Sequence, residues 1–292
     1  MANNKLLVNE RQAELGSFIV GRLLPFRKKR QVGPFTFIDH MGPSMIGENG
    51  QYMDVDQHPH IGLSTLTYLF NGSVEHRDST GAYQIINPGD VGFMTAGHGV
   101  THTERTPPSD RHKGAFLMHG YQIWVALPKD KEEMEPRFDY YPSASIPTWT
   151  DDTLTFKLVA GNAFGHSAPL QGYSPLFMVD IYAEKATTLQ LGGQIKGEVA
   201  FVIVKGQIKD GEDTVDAGQM LISKTNDACE ICMADNTQLL LFGGEPLSET
   251  RYLKWNFVSH SKERLETAKQ DWINKEFPTV EGDNTYIPFP NL

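Results

Sequence analysis

His58-Pro59-His60-Ile61-Gly62-Leu63-Ser64-Thr65-Leu66-Thr67-Tyr68-Leu69-Phe70 runs straight into Asn71-Gly72. From Ser64 onward the stretch is β-branched and aromatic, and Asn-Gly directly after it is a hairpin-turn signal. The reading is therefore a strand over 64–70 and a short return strand over 74–77. The return is closed by Asp78-Ser79-Thr80-Gly81. Further along, 83–86, the turn Asn87-Pro88-Gly89-Asp90, 91–95 and 119–127 continue the pattern. Short strands at regular spacing with Gly/Pro turns between them argue for an all-β sandwich or barrel.

A stretch rich in charge and proline, 128–147, reads as a linker. Strand-like segments resume after it at 155–160, 176–182, 198–204, 219–223, 230–233 and 238–242. Tyr68-Leu69-Phe70-Asn71-Gly72-Ser73-Val74 has the pattern of Val202-Ile203-Val204-Lys205-Gly206-Gln207-Ile208, and Asn87-Pro88-Gly89-Asp90 echoes Asp216-Ala217-Gly218-Gln219. A duplicated barrel is the simplest explanation. The domains are expected at 1–135 and 145–292. One amphipathic helix is expected over about 261–276, with Leu265, Ala268, Trp272 and Ile273 on its apolar face and no part in chemistry.

Composition narrows the function classes. Of 292 residues, 39% are hydrophobic and 21% charged, the balance of a folded globular protein. A net charge of −10 argues against a protein that grips nucleic-acid phosphates. Arg27-Lys28-Lys29-Arg30, the one compact basic cluster, reads as a solvated loop. No apolar run reaches signal-peptide or membrane-spanning length, so the expectation is a cytoplasmic protein without membrane contact. Cys229-Glu230-Ile231-Cys232 is a nominal CxxC, but on a strand over 228–233 residues three apart face opposite ways, so no metal or redox pair is expected there.

Five of the ten histidines lie between positions 58 and 102: His58, His60, His76, His98 and His102. In His58-Pro59-His60 the i, i+2 spacing puts both imidazoles on one face of an extended strand. His102-Thr103-Glu104 repeats the geometry with an imidazole and a carboxylate, and neighbouring strands would bring the two pairs together. Three imidazole nitrogens and one carboxylate oxygen suit a borderline divalent ion: iron, nickel, copper, manganese or zinc. His98 is expected to support the site or its loop, His76 to stabilise a turn, and His40 to order its own loop. Phe37, Phe93 and Met94 are read as core packing.

At these residues the chain resembles the pirin family. His58-Pro59-His60-x-Gly62-x-x-Thr65-x-Thr67-Tyr68 is similar to the first cupin motif as pirins write it. Pro88-Gly89-Asp90, then Met94-Thr95-Ala96-Gly97-x-Gly99-x-x-His102-x-Glu104, is similar to the second. Gly33-Pro34-Phe35-Thr36-Phe37, Asp39-His40-Met41-Gly42-Pro43 and Gly243-Gly244-Glu245-Pro246-Leu247 extend the resemblance over nearly the whole chain. It implies a bicupin, two β-barrels packed face to face, with a metal, usually iron, in the N-terminal one. The family's ligands fall on His58, His60, His102 and Glu104, and Glu104 is also the expected catalytic proton acceptor.

Two activities follow from the resemblance. One is 2,3-dioxygenation of quercetin or a similar flavonol, with a small aromatic substrate as the partner. The other is a non-enzymatic, iron-binding regulator of a transcription factor or metabolic enzyme. A zinc-dependent sugar isomerase shares the barrel but fits these motifs less well. The chain also departs from the family pattern at three positions. Ile61 and His98 stand where many pirins have Arg, and Ser64 stands where they have Glu. Glu104 is then the only motif carboxylate. Laid over the first barrel by its turn glycines, the second offers Gly192, Gln194, Ile231 and Met233, which make no ligand set.

Overall fold

The computed structural model describes residues 5–15, 18–223 and 230–290. They form two compact units. One contains Met1–Arg11, Arg22–Thr36 and Ala144–Leu247; the other contains Gln12–Gly21, Phe37–Ser143 and Ser248–Leu292. Each unit is built around a larger and a four-stranded antiparallel sheet, and the second also holds the two-stranded ribbon Tyr252–Lys254 with Phe257–Ser259.

In the unit that carries the histidine motifs, the smaller sheet runs in the order Asp54–His60, Val100–Arg105, Val74–Asp78, Tyr83–Ile86. The larger sheet runs Arg137–Tyr141, Val91–Thr95, Leu63–Asn71, Phe116–Ala126, Phe35–Ile46, Phe18–Leu24, Arg11–Leu15. The other unit repeats both orders. Its four-stranded sheet is Thr187–Gln190, Glu230–Met233, Gln207–Asp210, Asp213–Asp216. Its larger sheet runs from Leu6–Asn9 through Gln219–Ser223, Glu198–Lys205, Thr237–Gly244, Leu176–Ala183 and Leu154–Ala163 to Thr148–Asp151. The segments 68–74 and 202–208, paired by sequence pattern alone, occupy matching places in these orders.

The interiors differ. In the repeat unit Phe201, Leu189, Leu191, Ile208, Ile231 and Met233 belong to one apolar cluster, each at most 2% exposed. Period 2 explains the alternation, since Ile231 and Met233 point inward while Cys232 between them is exposed. Cys229 lies outside the described residues.

The helix is Lys262–Ile273, opened by Ser261, whose Oγ accepts from the Arg264 amide at 3.2 Å. Leu265, Ala268 and Trp272 are buried against Ile61, Phe257 and Phe277. Full burial of a large apolar side chain stabilises by roughly 1.5–3 kcal/mol. Ile273, expected on the same face, is 46% exposed, because at 3.6 residues per turn it lies about 100° round the helix from the buried Trp272. A buried polar knot anchors this segment: Glu132 accepts from Arg251 Nε at 3.0 Å, Ser259 Oγ at 2.8 Å and His260 Nδ1 at 2.7 Å. Among the described residues, no helix is long and apolar enough to cross a membrane.

Candidate metal centre

The strands Asp54–His60 and Val100–Arg105 are antiparallel neighbours, with His58 opposite His102 and His60 opposite Val100. Register slips between His102 and Glu104, so Asp56 and Gln57 together face Thr103. Such a bulge bends the strand and re-aims its side chains. Backbone from the C-terminal segment satisfies it: the Ile287 amide donates to Gln57 O at 2.9 Å, and the Val280 amide donates to Gln57 Oε1 at 2.8 Å. Gly62 follows the His-Pro-His run with φ +67, a left-handed conformation that favours glycine. A Cβ there would lie 1.9 Å from the Val258 carbonyl oxygen, so no larger residue fits this approach.

Three imidazoles converge. His58, His60 and His102 each offer a ligand atom within 4.8 Å of the others, and all three side chains are buried. Glu104 stands in a second such group, with His76 and His102, so His102 belongs to both. His58 Nδ1 lies 2.8 Å from the Asp56 carbonyl oxygen, and His60 Nδ1 lies 3.1 Å from that of Asn256. A carbonyl only accepts, so both rings carry hydrogen on Nδ1 and keep the Nε2 lone pair. His60 Nε2 is 3.1 Å from His102 Nε2. Two nitrogens on one ion at bonds of about 2.1 Å would be about 3.0 Å apart at a right angle and about 3.4 Å at the tetrahedral angle. The residues therefore fit a divalent metal.

Electrostatics agree with that fit. Burial pushes His58 down to about 4 and holds His60 and His102 well below the ordinary histidine range, with the neighbouring imidazoles adding to the effect. All three are neutral near pH 7, as ligands must be. Glu104 is partly buried, and loss of hydration pushes its carboxyl up to about 7, against the hydrogen bond from Gln122. That bond, Gln122 Nε2 to Glu104 Oε1, is 3.0 Å long, and Gln122 Oε1 accepts from Thr67 Oγ1 at 2.7 Å.

Trp124 and Phe37 make an apolar wall, stacked at 3.9 Å between ring centroids, with Trp124 edge-on to His60 at 5.1 Å. Neither Trp124 nor Gln122 was singled out by sequence. Both lie on the inward face of Phe116–Ala126, at i and i+2, which was the available signal.

Two other expectations, for His76 and His40, need correction. His76 is no turn residue: it is 2% exposed and lies 3.4 Å from His102, nitrogen to nitrogen. His98, expected at the site or its loop, has the loop role: it is nearly half exposed and pairs with Glu135 at 3.2 Å. His40 does not order a loop but sits within the Phe35–Ile46 strand, stacked on Tyr121 at 4.4 Å and 3.0 Å from His119 Nε2.

Comparison with known proteins follows from this geometry. The family model described as Pirin matches residues 17–125, and that described as the Pirin C-terminal cupin domain matches 178–278. A pirin-like protein of Caulobacter vibrioides is 41% identical over 98% of this chain and 99% of its own length. A Pseudomonas aeruginosa protein named "Putative quercetin 2,3-dioxygenase" is 38% identical, covering 91% of this chain and 82% of its own. The crystal structure of a quercetin 2,3-dioxygenase from Acinetobacter baumannii superposes with a TM-score of 0.88 at 33% identity, covering 99% of this chain and 95% of that one.

Proposed function

Since this chain belongs to the pirin family of bicupin proteins, we propose that it is a metal-dependent dioxygenase that opens quercetin or a similar flavonol by 2,3-dioxygenation. His58, His60, His102 and Glu104 are the ligands of one divalent ion. Iron is the metal the family resemblance favours, and the same donors accept nickel, copper, manganese or zinc. The other unit carries no metal, since Ile231, Met233 and Leu189 fill its interior.

The observation that carries this reading is the pairing of neutral imidazoles with a carboxyl poised near 7 against an aromatic wall. When bound, the metal supplies Lewis acidity that lowers the pKa of a substrate hydroxyl. Glu104, free to exchange its proton near neutral pH, accepts the hydroxyl proton of the flavonol. Gln122 and Thr67 hold that carboxylate in place. Trp124 and Phe37 offer a flat apolar surface to an aromatic ring and keep water from the His60 side. Support for the substrate class comes from the quercetin 2,3-dioxygenase at 33% identity and from the P. aeruginosa relative.

Oxygen uptake by protein loaded with iron, nickel or copper, with and without quercetin, tests the reading. Quercetin-dependent uptake is expected. If none of several flavonols gives uptake although metal is bound, the enzymatic reading falls.

A further inference from the structure

The three clustered histidines are not held alike. His58 and His60 each donate Nδ1–H directly to a backbone carbonyl, of Asp56 and Asn256. Among the described residues no carbonyl does this for His102: its Nδ1 faces His76 Nδ1 at 3.4 Å, and His76 Nε2 reaches Asp78 Oδ2 at 3.0 Å. Strand pairing builds this row, since Val74–Asp78 lies beside Val100–Arg105 with Asp78 opposite His102 and His76 opposite Glu104. His102, His76 and Asp78 are at most 2% exposed, and Phe138 stacks on the His76 ring at 4.3 Å.

The direction of this row is fixed at its far end. Asp78 Oδ1 accepts from the Thr80 amide at 2.8 Å, Thr80 Oγ1 at 2.6 Å and the Ala82 amide at 3.2 Å. With that oxygen saturated by donors, Oδ2 is left to accept from His76, so His76 carries its hydrogen on Nε2. With its hydrogen on Nε2, the His76 ring presents the lone pair of Nδ1, which accepts from His102 Nδ1–H. His102 is left with its lone pair on Nε2, the atom 3.1 Å from His60 Nε2.

We propose that His76 and Asp78 are positioning residues: through the row His102–His76–Asp78 they lock His102 in the Nδ1–H form and so present Nε2 to the metal. The row does for His102 what a single carbonyl does for His58 and His60. This rests on the metal centre proposed above only in its consequence for metal binding. The tautomer itself is a property of the metal-free protein.

Asp78→Asn tests it sharply. The Thr80 and Ala82 donors need an acceptor at the Oδ1 position, so the amide oxygen stays there and the NH2 group turns to His76. Donation from Asn reverses the row: His76 becomes Nδ1–H, and His102 becomes Nε2–H with its ligand atom blocked. A comparable reversal is known to disable the histidine of a Ser-His-Asp triad.

The readouts are nitrogen-15 NMR of the imidazoles in metal-free protein and cobalt(II) affinity by chelator competition. Asp78→Asn should move His102 from the Nδ1–H to the Nε2–H signature, leave His58 and His60 as Nδ1–H, and weaken cobalt(II) binding about 10–100-fold. His76→Gln, which can accept from His102 and donate to Asp78 at once, should keep the His102 tautomer and bind within a few-fold of wild type. His76→Leu should lose both, and if it does not fold, the other two variants decide. His102 remaining Nδ1–H in Asp78→Asn, or His76→Gln failing as badly as His76→Leu, would overturn the proposal. Wild-type protein that binds no cobalt(II) would defeat the metal-centre reading, and the NMR comparison would still judge the row.

Discussion

Gln122→Leu probes how much of the site's behaviour depends on a single amide. Leucine keeps nearly the same volume but removes the donor that reaches Glu104 Oε1 at 3.0 Å and the acceptor that receives Thr67 Oγ1 at 2.7 Å. A hydrogen bond to a charged group contributes about 1.5–3 kcal/mol, which is about 1–2 pH units at roughly 1.4 kcal/mol each. Gln122 is the group that holds the Glu104 carboxyl down against burial, so its loss moves that carboxyl further above about 7. At pH 7 the proton then competes harder with the metal, and cobalt(II) affinity should fall about 10–100-fold. Raising the pH should restore it, with the midpoint of metal binding moved up by about 1–2 units. The unpaired Thr67 hydroxyl should separately cost about 1–3 kcal/mol in denaturant unfolding. Chelator competition across pH 6–9 reads the first effect. An unchanged affinity with an unchanged midpoint would refute the role given to Glu104 and its partner.

Other outcomes follow from the same geometry. Gly62→Ala should destabilise by at least about 2 kcal/mol in denaturant unfolding, since the positive φ and the Val258 carbonyl both oppose a Cβ. Metal-free protein should lose stability as pH falls from about 6.5 toward 4. His58, His60 and His102 have depressed values, so the unfolded chain binds their protons first, and His58 alone contributes on the order of 3 kcal/mol. Glu104 works with the opposite sign: its raised value favours the folded state at low pH, and that contribution is lost as pH rises through about 7. With three histidines against one carboxyl, the net slope across pH 5–6.5 should be upward, and a flat or falling curve would contradict it. Glu104→Gln should retain part of the bound metal and lose most quercetin-dependent oxygen uptake, checked by elemental analysis beside an oxygen electrode.

The legible part of this protein is the part with period 2. His58-Pro59-His60 and His102-Thr103-Glu104 announce same-face pairs because a strand alternates, and the repeated turn glycines announce two similar sheets in each unit. His76-Arg77-Asp78 has that same spacing, yet Asp78-Ser79-Thr80-Gly81 reads as a turn, and turn chemistry masked the pair. Asp78 in fact does both, with one oxygen on Thr80 and the other on His76. The Asn256 carbonyl could not be read at all. It is a backbone atom 196 residues from His60, and an acceptor every residue carries leaves no sequence signature. The placing of Ser248–Leu292 with the histidine-bearing unit is of the same kind, since it rests on long-range contacts such as Ile61 with Phe257 and on the Glu132 knot.

The central claim is that one ion per chain is held by His58, His60, His102 and Glu104. Anomalous diffraction from crystals grown with cobalt(II) tests it most directly. One peak is expected, bonded to Nε2 of the three histidines and to a carboxylate oxygen of Glu104. A peak flanked by His76 and Glu104 without His58 and His60, or a second peak beside Ile231 and Met233 in the other unit, would contradict it.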